Sequence, residues 1–131
     1  MTREDKELLF VDLCARLPYN VLVHIYDIDV CNYDNYLCED YLGKFRNNFI
    51  RIKPYLRPMS SMTEEELVDY KLLEKQCEIL PTFAYINVSK CVIFDWLNKH
   101  HFDYRGLIEK GLAIEAPEEM YKLKEQQYSN Y

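Results

Sequence analysis

Pro18 separates two hydrophobic rhythms that belong to different secondary structures. Before it, Leu9, Leu13 and Leu17 recur every four residues and gather on one face of a helix that Thr2 can cap, with Glu4 and Asp5 near its positive end. Phe10 and Cys14 widen that apolar face, and Arg3, Glu7 and Asp12 are left for water. After Asn20 the order becomes Val21-Leu22-Val23-His24-Ile25-Tyr26-Asp27-Ile28, a strand by its β-branched and aromatic content, with Val21, Val23 and Ile25 on one side. Helix and strand therefore share one fold.

A second strand is expected over Phe49-Ile50-Arg51-Ile52-Lys53, with Ile50 and Ile52 facing one way and Arg51 and Lys53 the other, ended by Pro54. Between the strands, Asp29 to Asn48 reads as turns with one short element near Tyr36 to Leu42. Pro54 to Pro58 is expected as an extended connector. Ser61 or Thr63 then caps a helix whose first turn carries Glu64, Glu65 and Glu66 and which turns Leu67, Tyr70, Leu73 and Cys77 inward, up to Pro81. Residues 83–88 fit a strand or a helix entry. Ser89 caps a helix to about His100 with Val92, Ile93, Trp96 and Leu97 as its apolar face. Asp103 is placed to cap a short helix over Tyr104 to Lys110, closed by a left-handed Gly111.

With 131 residues, 49% of them hydrophobic, the chain can bury a core without metal or disulfide staples. The expected fold is α+β: an N-terminal helix, a small antiparallel sheet within residues 20–53, and two or three C-terminal helices in a single domain over 1–121, followed by a flexible tail over 122–131. Five cysteines, an odd number without a Cys-x-x-Cys pair, suit reduced thiols. The first residues lack a secretory pattern and the longest apolar runs are far too short for a membrane span, so the expected place is the cytoplasm.

The formal net charge is −6, and its excess of acids lies after residue 60, which permits DNA mimicry but is equally explained by helix ends and a solvated surface. Against that background, Tyr41 to Thr63 holds five cations and no acid: Lys44, Arg46, Arg51, Lys53 and Arg57, interleaved with Phe45, Phe49 and Tyr55. Charge that neutralises phosphates beside rings that stack on bases is the chemistry of a nucleic-acid or nucleotide site. The competing reading has Asp27 and Asp29 neutralise Arg51 and Lys53 across the sheet. Twelve tyrosines pose a similar choice. Tyr33, Tyr36 and Tyr41 lie where aliphatic residues are scarce and suit a partner-binding surface, or else they fill the core.

Adjacent His100 and His101 diverge by about 100° on a helix and do not readily chelate one ion. The acids Asp27, Asp29, Asp34, Glu39 and Asp40 lack the register of a calcium loop. No nucleophile elbow or Gly-rich phosphate loop occurs, so no metal, cofactor or catalytic residue is expected.

The segments Lys53-Pro54-Tyr55-Leu56-Arg57-Pro58-Met59-Ser60-Ser61-Met62-Thr63-Glu64-Glu65-Glu66 and Asp95-Trp96-Leu97-Asn98-Lys99-His100-His101-Phe102-Asp103-Tyr104-Arg105-Gly106-Leu107-Ile108-Glu109-Lys110-Gly111-Leu112-Ala113, with the N-terminal helix, resemble a group of small uncharacterised proteins of prophages and other mobile elements of gut bacteria. The resemblance covers well under half of the chain and carries no activity, catalytic residue or binding residue. What it implies is a setting inside a bacterium, where small non-enzymatic modulators are common. The expectation is an interaction protein that docks a host or phage protein, with nucleic-acid binding as the alternative.

Overall fold

The computed structural model describes residues 1–79 and 92–121. Thr2 closes the start of helix α1 (Arg3–Arg16), its Oγ1 accepting the Asp5 amide at 3.0 Å. Leu9 and Leu13 are fully buried, while Leu17 enters a 3₁₀ turn (Leu17–Tyr19) that Pro18 helps to start. The chain reverses at Asn20, whose left-handed φ of 54° asparagine tolerates.

Strand β1 (Leu22–Asp27) pairs antiparallel with β2 (Asn32–Tyr36) on one side and with β3 (Ile50–Pro58) on the other. Helix α2 (Glu39–Arg46) connects β2 to β3, so the segment expected as turns with one short element holds a strand and a helix. Cys38 starts α2 without a side-chain cap bond. Pro54 does not end β3. It stands opposite Val23 at the last position of the β1 ladder, where the strand changes partners, so its missing N–H falls at a handover. Beyond it, Tyr55 and Leu56 pair parallel with β5 (Ile114–Glu115), and Arg57 and Pro58 pair parallel with β4 (Phe102–Asp103). The sheet is therefore mixed and extends past residue 53, and the class is α+β as expected.

Helix α3 (Glu64–Ile79) follows a 3₁₀ turn (Met59–Ser61), and a further helix, α4, covers residues 92–99. The helix expected over Tyr104 to Lys110 does not form. The Asp103 carboxylate accepts the Leu107 and Ile108 amides, each at 2.9 Å, but Gly106 takes a φ of 73°, incompatible with a helical turn, so residues 107–110 close as turns. Gly111 has the expected left-handed conformation, φ 75°.

Leu9 and Leu13 of α1 and Leu42 and Phe45 of α2 meet Val23, Ile25, Ile50, Ile52 and Leu56 on one face of the sheet, with Leu107 completing this core. Four expected orientations are reversed: Cys14, Leu67 and Val92 are exposed, and Asp12 is fully buried. Arg16 explains the last. Its Nε donates to Asp12 at 2.8 Å, its Nη2 donates to the Phe102 carbonyl at 2.7 Å, and Arg105 donates to the same carboxylate at 3.1 Å. One carboxylate thus holds two guanidiniums and ties α1 to the segment after β4. The expectations for Cys77 and Pro81, residues 83–88, Ser89 and the tail over 122–131 lie outside the described residues or side chains. Among the described residues, no helix is long and apolar enough to cross a membrane.

Candidate functional site

Strand alternation sorts the sheet into two faces. Val23, Ile25, Ile50, Ile52 and Leu56 turn to the core, so His24 and Tyr26 of β1, Asn32, Asp34 and Tyr36 of β2, and Arg51, Lys53, Tyr55 and Arg57 of β3 share the outward face. Register places them in rows: Asp34, His24 and Lys53 stand opposite one another across three strands, and Asn32, Tyr26 and Arg51 form the next row.

The middle of this face is fastened by one carboxylate. His24 Nδ1 lies 2.7 Å from Asp34 Oδ1, and the Tyr55 hydroxyl donates to the same oxygen at 2.9 Å. An ionised carboxylate can only accept, so Nδ1 is the donor of this bond, and Nε2 lies outside it. Burial, and then the Asp34 bond, push the Tyr55 phenol up to about 12. The Arg51 guanidinium lies 5.8 Å from the centre of the Tyr26 ring, a cation–π contact made across strands.

Asp27 and Asp29 do not neutralise these cations. Asp27 is registered with Ile50, one position off Arg51 and therefore on the other face, and its carboxylate accepts the Asp29 amide at 3.0 Å. Among the described residues, Arg51 and Lys53 enter no ion pair.

The five cations of the basic stretch do not converge. Lys44 and Arg46 belong to α2, which packs on the opposite side of the sheet, and Lys44 pairs with Asp40 at 3.3 Å. Arg57 is outward but committed: its two terminal nitrogens donate to Glu66 at 2.6 and 2.8 Å, and its guanidinium lies 4.2 Å from the centre of the Phe102 ring. Glu66 also accepts the Thr63 amide at 3.0 Å while its own amide donates to the Thr63 hydroxyl at 3.2 Å, a reciprocal cap at the start of α3. The tyrosines divide as well. Tyr33 and Tyr41 meet edge to face, 6.3 Å between centres, and pack against the core, whereas Tyr36 is 43% exposed. The hydrogen bond with Tyr41, followed by burial, raises the Tyr33 phenol to about 12.

Beside the Arg57 and Glu66 pair, a groove of about 920 Å³ runs between the start of α3 and the end of β5, reaching His100 and Tyr121. Glu65, Asp69, Glu115 and Glu118 line it, so its charge is acidic. His100 Nδ1 is 3.7 Å from Glu66, and the His101 ring stacks on Tyr121 at 3.9 Å, so the two histidines serve different contacts. Among the described residues, no three metal-ligating side chains gather.

No family model, curated protein or solved structure matches this chain. Of the residues the sequence singles out, Tyr36, Arg51, Lys53, Tyr55 and Arg57 stand on the outward face, and His24, Tyr26 and Asp34 join them there without having been assigned a binding role. The signal for His24 and Tyr26 was present, since they alternate with Val23 and Ile25. Asp34 carried none, because its role depends on a strand pairing that the local sequence does not specify.

Proposed function

We propose that this chain is a non-enzymatic interaction protein that docks a host or phage protein on the outward face of its sheet and thereby modulates it. The observation that carries this reading is the composition of the face: Tyr26, Tyr36 and Tyr55 supply amphipathic rings, Arg51 and Lys53 supply charge with no ion-pair partner among the described residues, and Asp34 fixes the ring of His24 between them. Tyrosine and arginine are the side chains enriched where proteins bind one another, and rings held in a sheet lose little freedom on binding. Of the three tyrosines expected at a partner surface, Tyr33 and Tyr41 pack against the core and Tyr36, 43% exposed, lies at the edge of this face.

The test is capture from bacterial lysate with the full chain, set beside Tyr36→Ser and Arg51→Glu. A species retained by the parent and lost with both variants is the expected result, and equal retention by all three overturns the reading.

A second reading, nucleic-acid or nucleotide binding, is favoured by Arg51 and Lys53 beside Tyr26, neither of which enters an ion pair among the described residues. Magnitude places it second. Two phosphate contacts give a salt slope of only about −1.4 on single strands, against six to ten contacts for strong binders, and a net charge of −6 repels a polyanion. Oligonucleotide binding that is steeply salt dependent and lost in Arg51→Glu would reverse that order.

A further inference from the structure

We infer that the partner segment recognised by the outward face is an acidic peptide, its carboxylate received by Arg51 and Lys53; this rests on the docking reading above. Arg51 and Lys53 lie two residues apart on the same side of β3, roughly 7 Å along the strand, a spacing that one or two carboxylates of an extended peptide can bridge. Arg51 is exposed and in no ion pair among the described residues, yet the Tyr26 ring holds its guanidinium from one side. Its planar fork is therefore positioned to receive a carboxylate with two parallel hydrogen bonds.

Asp34 shares this face but stands across His24 from Lys53 and forms an ion pair with neither cation, so among the described residues these two cations face one carboxylate and the face keeps a positive excess. Elsewhere the cations of the basic stretch are occupied or averted: Arg57 is closed on Glu66, and Lys44 and Arg46 stand across the sheet. The face is a small cationic window on an acidic molecule. It complements a segment with a few carboxylates better than a continuous polyanion, which needs a longer track of charge. Beside it, Tyr36, 43% exposed, presents ring surface to the peptide.

The experiment is fluorescence anisotropy with the full chain and three labelled probes: a Glu-rich peptide, the same peptide with Gln for every Glu, and oligothymidine. The Glu-rich peptide is expected to bind at low ionic strength and to weaken with salt, with the Gln peptide at least tenfold weaker, since a charge-assisted bidentate pair is worth roughly ten- to a hundredfold. Arg51→Glu should abolish binding, Arg51→Lys should recover part of it, and Lys44→Glu, on the far side of the sheet, should leave it within about twofold. The inference is overturned if oligothymidine binds more tightly than the Glu-rich peptide. It is equally overturned if neither peptide saturates, or if Lys44→Glu costs as much as Arg51→Glu. If peptide binding fails while the captured species is still lost with Tyr36→Ser and Arg51→Glu, only the acidic character of the partner falls and the docking reading stands.

Discussion

Glu66→Gln tests whether charge holds α3 to the sheet. Burial by itself raises the Glu66 carboxyl, but the Arg57 guanidinium and the Thr63 amide and hydroxyl outweigh it and hold it at about 2, against 4.5 for an ordinary glutamate. That difference corresponds to about 3 kcal/mol of preference for the charged form. The side chain keeps 16% of its surface in water, and screening there reduces the useful part to about 1–2 kcal/mol. Because the folded value lies below the unfolded one, this stabilisation is complete above pH 4.5 and is lost as the pH falls through about 2. Glutamine keeps the shape and, through Oε1, the reciprocal cap with Thr63, but its Nε2 cannot accept from Arg57, so the variant removes the charge together with one of the two Arg57 hydrogen bonds. Over residues 64–76, α3 has no buried side chain, so the expected opening is local. Amide exchange of α3 in the variant should be roughly five to thirty times faster than in the parent at pH 7, and the two should converge near pH 2. A ratio near one at pH 7, or a ratio that does not change with pH, refutes the reasoning.

Two further outcomes follow from the geometry. Asp12→Ala leaves Arg16 buried without its carboxylate, which should cost about 3–5 kcal/mol and lower the thermal midpoint by roughly 10–20 °C; a drop of a few degrees would show that the network is not stabilising. In an absorbance titration, Tyr33 and Tyr55 both ionise near pH 12, so Tyr55→Phe should remove only the Tyr55 share of that step, and Asp34→Asn should move that share part of the way toward 10 because burial, the larger cause, remains. The Tyr55 phenol's raised value stabilises the fold fully below pH 10 and stops doing so as the pH rises through about 12.

Local chemistry was legible where it acts locally. The spacing of Leu9 and Leu13, the cap at Thr2, the cap of α3, which Thr63 and not Ser61 supplies, and the left-handed Gly111 each depend on neighbours within about one turn, and each is found. Pro54 and Asp12 were misread because their environment is distant. Pro54 belongs to a strand because β1, β4 and β5 supply its neighbours' bonds, and Asp12 is buried because the Phe102 carbonyl and Arg105 arrive to complete its ion pair with Arg16. A helical wheel assigns Asp12 to water by polarity alone, and only the tertiary partner reverses the sign.

The site follows the same division. Alternation along β3 already placed Arg51 and Lys53 together, and alternation along β1 already placed His24 beside Tyr26. Which row faces which depends on register, and register separates a charge-paired face from one whose cations enter no ion pair among the described residues. Had Asp27 stood opposite Arg51, the two charges would have shared a face within reach of a salt bridge. It stands opposite Ile50, one residue away, and in a sheet one residue is the whole distance between the two faces. The cation is thereby left over the Tyr26 ring without a carboxylate, and the docking proposal rests on that single step of pairing.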